Sequence, residues 1–251
     1  NRLSVIPNGV DPERWTPASP QCTSPKRQQV REQLGKDRIF LYMGRIATEK
    51  NIEALLRAWR LVEPRGCRLV IVGDGPLRPT LENNSIFNKE DNVTWWGYES
   101  DLNKRVALLQ MAEVFILPSL VEGLSIALLE AMATATACVA TDAGADGKVI
   151  EGGAGIVLST DAVTSQLITL LPVLRDQPVL TNELGRRARL RVEERYTLQQ
   201  NIDSLENLYN NVLNSFNSTS FQPIGDSSQL LKQLLQSKQI SSPQVQGVEE
   251  H

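Results

Sequence analysis

Short apolar runs alternate with longer stretches of helical periodicity along most of this chain. Arg38–Met43 (RIFLYM), Arg68–Val72 (RLVIV), Asn92–Trp96, Val114–Leu117, Ala137–Thr141 (ACVAT) and Gly155–Leu158 read as strands. Helices are predicted over Lys26–Leu34, stopped by Gly35, and over the segment where Ile52, Leu55, Leu56 and Trp59 recur at i, i+3, i+4 and i+7. Another begins near Pro76, and one runs to Met111 behind a cap at Ser100 or Asp101. Leu3–Pro7 is expected to be one more short strand, ended by the Pro7-Asn8-Gly9 turn. The strands are apolar throughout instead of alternating, which argues a parallel sheet covered on both faces, a doubly wound, Rossmann-like α/β domain. After residue 160 the pattern turns helical: Asp161–Arg175, Pro178–Arg195 and Leu198 to about Phe216. From Asn217 the chain is Ser/Gln-rich. Residues 1–216 are thus expected to form the domain and 217–251 a disordered tail, with a marginal helix over Ser228–Ile240.

One helix breaks the amphipathic rule. From Ile126 to Ala133 every residue is apolar except Glu130, so the helix should be buried on all sides. A buried carboxylate without partners costs several kcal/mol or more, so Glu130 must meet hydrogen-bond donors. Glu122 lies in the loop Pro118–Ser125 that feeds the same helix, whose first N–H groups favour an anion. A polar ligand, phosphorylated by this reasoning, belongs there.

Composition narrows the rest. The 251 residues are 41% hydrophobic, enough for a sizeable core, and a net charge of −3 gives no global attraction to nucleic acid. Cys22, Cys67 and Cys138 form no CxxC pair, and the single histidine is His251, so zinc sites and histidine bases are not expected. No apolar run is long enough to span a membrane. Beginning on Asn1 with residues that already look strand-like, the chain reads as a fragment of something longer.

Ligands of doubly wound sheets bind at the carboxyl ends of the strands. Arg45, Asp74, Tyr98 and Glu122 each follow a strand. Gly44 lets the chain turn so that Arg45 and Lys50 can converge, a fork and a point charge suited to a diphosphate; the same pair can equally be solvated surface cations. Gly73-Asp74-Gly75-Pro76 lacks the third glycine of a dinucleotide loop, since residue 78 is Arg78, and reads better as a tight turn with Asp74 at the pocket edge. Tyr98, after Trp95-Trp96-Gly97, can meet a planar base, while at least one tryptophan belongs to the core. Asp142 and Asp146 read as turn residues.

Taken together, VIPNGVD at 5–11, GRIATEKN at 44–51, VGDGPLRPTLE at 72–82 and LPSLVEGLSIALLEAMA at 117–133 resemble the C-terminal, donor-binding half of retaining GT-B glycosyltransferases of the family 4 (group 1) type. Glu122 and Glu130 match that family's two glutamates. The resemblance implies that Gly44, Arg45 and Lys50 hold a donor diphosphate, that Glu130 binds the ribose, and that Glu122 with Gly123, Leu124 and Ser125 meets the sugar and phosphates. Arg45, Lys50 and Glu122 are the implied catalytic residues, and Asp74 and Tyr98 line the site, Tyr98 near the base. It further implies a UDP-, GDP- or ADP-sugar as substrate, no cofactor, no metal and no nucleic acid. The acceptor, a glycan, lipid or small molecule, would bind an N-terminal domain not present here, through which peripheral membrane contact is also conceivable, in a cytoplasmic setting. Departures from the family pattern are Ala135 and Ala137, where Gly and Pro are usual, and Gly144-Ala145-Asp146 in place of a Gly-Gly turn. The alternatives are a GT-B epimerase or sugar phosphorylase, or a non-catalytic nucleotide-sugar binding module.

Overall fold

The computed structural model describes residues 3–19, 24–84 and 92–218. Its strands are β1 (Arg38–Met43), β2 (Cys67–Val72), β3 (Val93–Gly97), β4 (Ala112–Leu117), β5 (Ala137–Thr141) and β6 (Ile156–Leu158). Its helices are α1 (Pro25–Leu34), α2 (Ile52–Val62), α3 (Arg78–Glu82), α4 (Leu102–Met111), α5 (Ile126–Ala133), α6 (Asp146–Ile150), α7 (Val163–Asp176), α8 (Pro178–Arg195) and α9 (Leu198–Ser218). The chain divides into two compact units, Asn1–Ser204 and Leu205–His251, so α9 runs through the division. The first unit holds everything discussed below; the described part of the second continues α9. Of the expected tail 217–251, Asn217 and Ser218 still belong to α9, and the remainder, including the helix over Ser228–Ile240, lies outside the described residues.

All six strands are parallel, in the order β3-β2-β1-β4-β5-β6. The chain lays down β1, β2 and β3 in one direction, then starts again beside β1 and lays down β4, β5 and β6 in the other. The doubly wound reading holds, and the switch point falls between β1 and β4. Apolar strands are what this geometry demands: from Ile39 to Met43 and through the whole of β5 every residue is buried. Trp59 of α2 packs on Phe40 of β1 with ring centroids 5.2 Å apart. Helix α2 pairs with α7, α1 with α4, and α5 with α8.

Three local expectations change. Leu3–Pro7 is not a strand; Leu3 and Val5 are exposed, and the pairing comes later, where Val10 bridges Thr197. At that bridge Gly9 lies so close to the main chain of Thr197 that a Cβ there would sit 2.4 Å from the Thr197 carbonyl oxygen. The helix expected at Pro76 begins at Arg78. The supposed turn at Asp146 is a short helix, α6. By contrast, Asp101 caps α4 as its position suggested, its carboxylate accepting from the N–H groups of Asn103 and Lys104. Among the described residues no helix is long and apolar enough to cross a membrane.

Candidate active site at the sheet switch point

The loop after β1 is built by backbone packing. Gly44 and Ile46 donate to the carbonyls of Val72 and Asp74, so the loops after β1 and β2 lie against each other. Gly73 (φ +136°) and Gly75 (φ +159°) permit this, since a Cβ would fall 1.9 Å from the Gly44 oxygen and 2.2 Å from the Ile46 oxygen. The glycine pair is thus a close-packing device, consistent with the tight-turn reading. Tyr42, fully buried, donates its hydroxyl to the Arg45 carbonyl at 2.7 Å and pins the backbone there. Burial pushes that hydroxyl far above its ordinary pKa, so it stays a donor. The Arg45 side chain itself is exposed and has no ion-pair partner among the described residues.

Lys50 ends a single 3-10 turn, Thr48–Lys50, closed by Asn51 in the left-handed region. Its ammonium reaches across the switch point to Glu122 Oε1 at 2.5 Å. Ser119 donates to the same oxygen at 2.9 Å, and Leu120 donates to the Glu49 carbonyl, stitching the two loops together. Lys50 thus has an ion-pair partner of its own, which its spacing from Arg45 does not reveal.

The loop 118–125 is shaped from beneath. Ala145 donates to the Gly123 carbonyl, and Asp146 Oδ1 accepts from the Ser125 N–H at 2.8 Å. Asn8, from the VIPNGVD block, donates to the Leu124 carbonyl. Ser125 then caps α5 by accepting from the Leu128 N–H. These contacts leave the N–H groups of Gly123, Leu124, Ile126 and Ala127 without protein partners among the described residues, a set of donors at the positive end of a buried helix. Asp146 is 1% exposed and its Oδ2 has no hydrogen-bond partner among the described residues. Burial raises its carboxyl to about 6, against the Ser125 hydrogen bond, which lowers it.

Helix α5 is buried as expected except at its first turn, where Ile126 is exposed. Glu130 is 5% exposed and does meet a donor, but the donor is protein: Arg105 of α4 contacts Oε2 at 2.6 Å. Burial raises the Glu130 pKa and Arg105 opposes the rise. Arg105 also lies over the Trp15 ring, 5.3 Å from its centroid. Arg105 was not singled out from sequence and Asp146 was read as a turn residue, because a lone arginine on a helix and an aspartate in a Gly/Ala turn both have solvent-facing defaults.

Between the ends of β1, β2 and β3 opens a cleft of about 340 Å³ lined by Gly44, Arg45, Asp74, Tyr98, Glu99 and Arg105, among others. Tyr98 projects from its edge, 77% exposed, while Trp95 and Trp96 are both half-buried against the core. Asp74 Oδ1 accepts from the Gly75 N–H, keeping its carboxylate at the rim. The structure thus brings Gly44, Arg45, Asp74 and Tyr98 to one cleft, and Lys50, Glu122 and the 123–125 backbone to the adjoining helix terminus. Glu130 sits behind both, reached through Arg105. Among the described residues no group of three or more His, Cys, Asp or Glu side chains is placed to share a metal ion.

The family model for glycosyl transferases group 1 matches residues 37–172, which contain every one of these groups. The chain belongs to that family. Alpha-D-kanosaminyltransferase of Streptomyces kanamyceticus is 32% identical over 195 residues, 76% of this chain and 50% of that protein. The structure of Anabaena Alr3699/HepE in complex with UDP superposes with a TM-score of 0.71 at 19% identity, covering 82% of this chain and 57% of that one. The C-terminal domain of the LpcC group 1 protein of Francisella tularensis gives 0.65 at 20% identity, over 76% of this chain and 100% of that one. This group 1 chain spans about half the length of the curated relatives it matches. Both the fold and the family expected from the sequence blocks are borne out.

Proposed function

We propose that this chain is the donor-binding half of a retaining glycosyltransferase that moves a hexose from a nucleotide-sugar to an acceptor hydroxyl. The observation that carries the reading is the arrangement at the switch point. An unpaired Arg45, the Lys50–Glu122 pair and four free N–H groups at the start of α5 adjoin a cleft with an aromatic rim. A diphosphate needs several donors at once, and this is where they are. Arg45, Lys50 and the helix terminus would hold the diphosphate and stabilise the charge that grows on it as the sugar leaves. Glu122, whose Oε2 takes no hydrogen bond among the described residues, would accept from a sugar hydroxyl, with Gly123, Leu124 and Ser125 supporting sugar and phosphate through their main chain. Tyr98 and Asp74 would flank the base, and Glu130 the ribose.

In the transfer step the glycosidic bond to phosphate breaks with its electrons going to the phosphate oxygen. That oxygen takes the acceptor's proton while the acceptor oxygen bonds to the same face of the sugar, which retains configuration. No side chain here is placed as a covalent nucleophile in this scheme. The Anabaena neighbour binds UDP, which favours a uridine nucleotide as the first donor to try. The acceptor would be held by a companion half, which would also make any membrane contact, and the setting would be cytoplasmic. Calorimetric titration of UDP-, GDP- and ADP-sugars into the wild type and Glu130→Ala tests the assignment. Loss of donor affinity in the variant is expected; equal affinity in both sinks the ribose role of Glu130.

A further inference from the structure

Resting on the donor-site reading, we propose that Arg105 is a positioning residue that holds the Glu130 carboxylate ionised and oriented toward the nucleotide. Its guanidinium is clamped on two sides. One is the face of Trp15, 5.3 Å to the ring centroid, and the other is Glu130 Oε2 at 2.6 Å. Trp15 is itself fixed: it is 5% exposed, and Arg189 of α8 donates to the carbonyls of Pro12, Trp15 and Ala133, tying the Trp15 loop to the far end of α5. Arg105 cannot swing away without giving up both contacts, and its exposed edge lines the same cleft as Tyr98, Asp74 and Arg45.

The chemistry follows from what a ribose asks for. Its hydroxyls donate, so the group that receives them should be an acceptor on every lone pair, as an ionised carboxylate is and a protonated one is not. Arg105 occupies Oε2, and among the described residues Oε1 takes no hydrogen bond, leaving it for the ligand. Burial works against the ionised state, and Arg105 is the charged group that opposes it. Of the other charges around the cleft, Asp74 accepts from the Gly75 N–H, Glu99 is held by Trp96, Asp101 and Lys104, Arg45 is exposed without an ion-pair partner among the described residues, and Arg189 donates to main-chain carbonyls and Glu193; Arg105 is the one that contacts Glu130. Without the guanidinium charge burial would act unopposed, so the Glu130 carboxyl would hold its proton to higher pH and nucleotide binding would acquire a pH dependence beyond that of the wild type.

The test is calorimetric titration of UDP, GDP and ADP into the whole 251-residue protein and its Arg105→Gln and Arg105→Lys variants, between about pH 6 and pH 8.5. Glutamine keeps a hydrogen bond to Glu130 and loses the charge; lysine keeps the charge. Taken relative to wild type at each pH, so that titration of the nucleotide phosphate cancels, R105K affinity should stay at a constant ratio, while R105Q should lose up to about tenfold per pH unit on the acid side. Adding Glu130→Gln to R105Q should abolish that slope, since the amide does not titrate. An R105Q affinity equal to wild type at every pH, or lower by one constant factor at every pH, overturns the proposal, the second result marking a mere brace. Failure of the wild type to bind any of the three nucleotides instead overturns the donor-site reading itself, and this proposal with it.

Discussion

Lys50 and Glu122 meet at 2.5 Å across the sheet switch point, one from the loop after β1 and the other from the loop after β4. Both side chains are mostly buried, so the pair is held in a geometry that a surface ion pair rarely keeps. It also sets the charge at this point: Lys50 and Glu122 cancel, while Arg45 has no ion-pair partner among the described residues.

From that charge balance, Glu122→Gln should separate two properties. It frees Lys50 to act as a full cation, so a free nucleoside diphosphate should bind several-fold tighter, with a steeper dependence on salt. A nucleotide-sugar should gain less than the free nucleotide or even lose affinity, because the carboxylate acceptor for its sugar is gone. Parallel titrations of UDP and a UDP-sugar at two salt concentrations measure the difference. Unchanged affinity for both would mean that neither ligand approaches Glu122.

Gly144 sits directly beneath the same loop. At φ +58° a Cβ there would fall 2.1 Å from the Glu122 carbonyl oxygen. Gly144→Ala is expected to cost about 1–2 kcal/mol for the left-handed backbone, and more for the clash. Nucleotide affinity should fall with it, as the Glu122–Gly123 backbone is displaced. Gly66→Ala is the matched control: φ is +70° with nothing within 4 Å of the added carbon, so it should show the backbone cost alone and normal binding. Chemical denaturation and titration on both variants decide the point.

Ala135 stands one residue beyond the cap of α5 with φ +59°, a backbone region where glycine is at home and alanine is strained. This is one of the places where the chain departs from the family's usual glycine, and the structure keeps the backbone while carrying the side chain. Ala135→Gly should stabilise the fold by roughly 0.5–1 kcal/mol, the relief of strain exceeding the added freedom of the unfolded chain. A rise in melting temperature is the readout; a fall would mean that the methyl group packs usefully.

Much of this architecture was readable before any coordinates. Apolar strands such as RIFLYM and ACVAT announced a doubly covered parallel sheet, and Asp101 announced the start of α4, because burial on two faces and helix capping leave direct traces in residue type. The Glu130 anomaly was equally plain, since it concerns one helix. What solved it was not: Arg105 lies 25 residues away, on another helix, and only the packing of α4 against the sheet brings the two together. The partner of Lys50 is hidden for the same reason, lying 72 residues on. Leu3–Pro7 has strand-forming residues but pairs with no strand among the described residues, and pairing is a property of the whole sheet and not of those five positions.

Asp146 should leave a signature in the pH dependence of stability. Its carboxyl moves from an ordinary value of 3.8 to about 6 in the folded protein because burial disfavours the charge. The folded state therefore binds more protons than the unfolded state between those two values, so this group's contribution to stability is fully present below pH 4 and is lost as pH rises to about 6. Across that window the loss amounts to about 3 kcal/mol at most, at 1.36 kcal/mol per pKa unit, and above it the contribution is constant. Asp146→Asn keeps an oxygen to accept from the Ser125 N–H but does not titrate, so the stability difference between variant and wild type should grow in the variant's favour from pH 4 to pH 6.5 and then level off. Urea denaturation at a series of pH values measures that difference directly. A difference that stays constant across the window would place the folded-state pKa of Asp146 back in the ordinary carboxylate range.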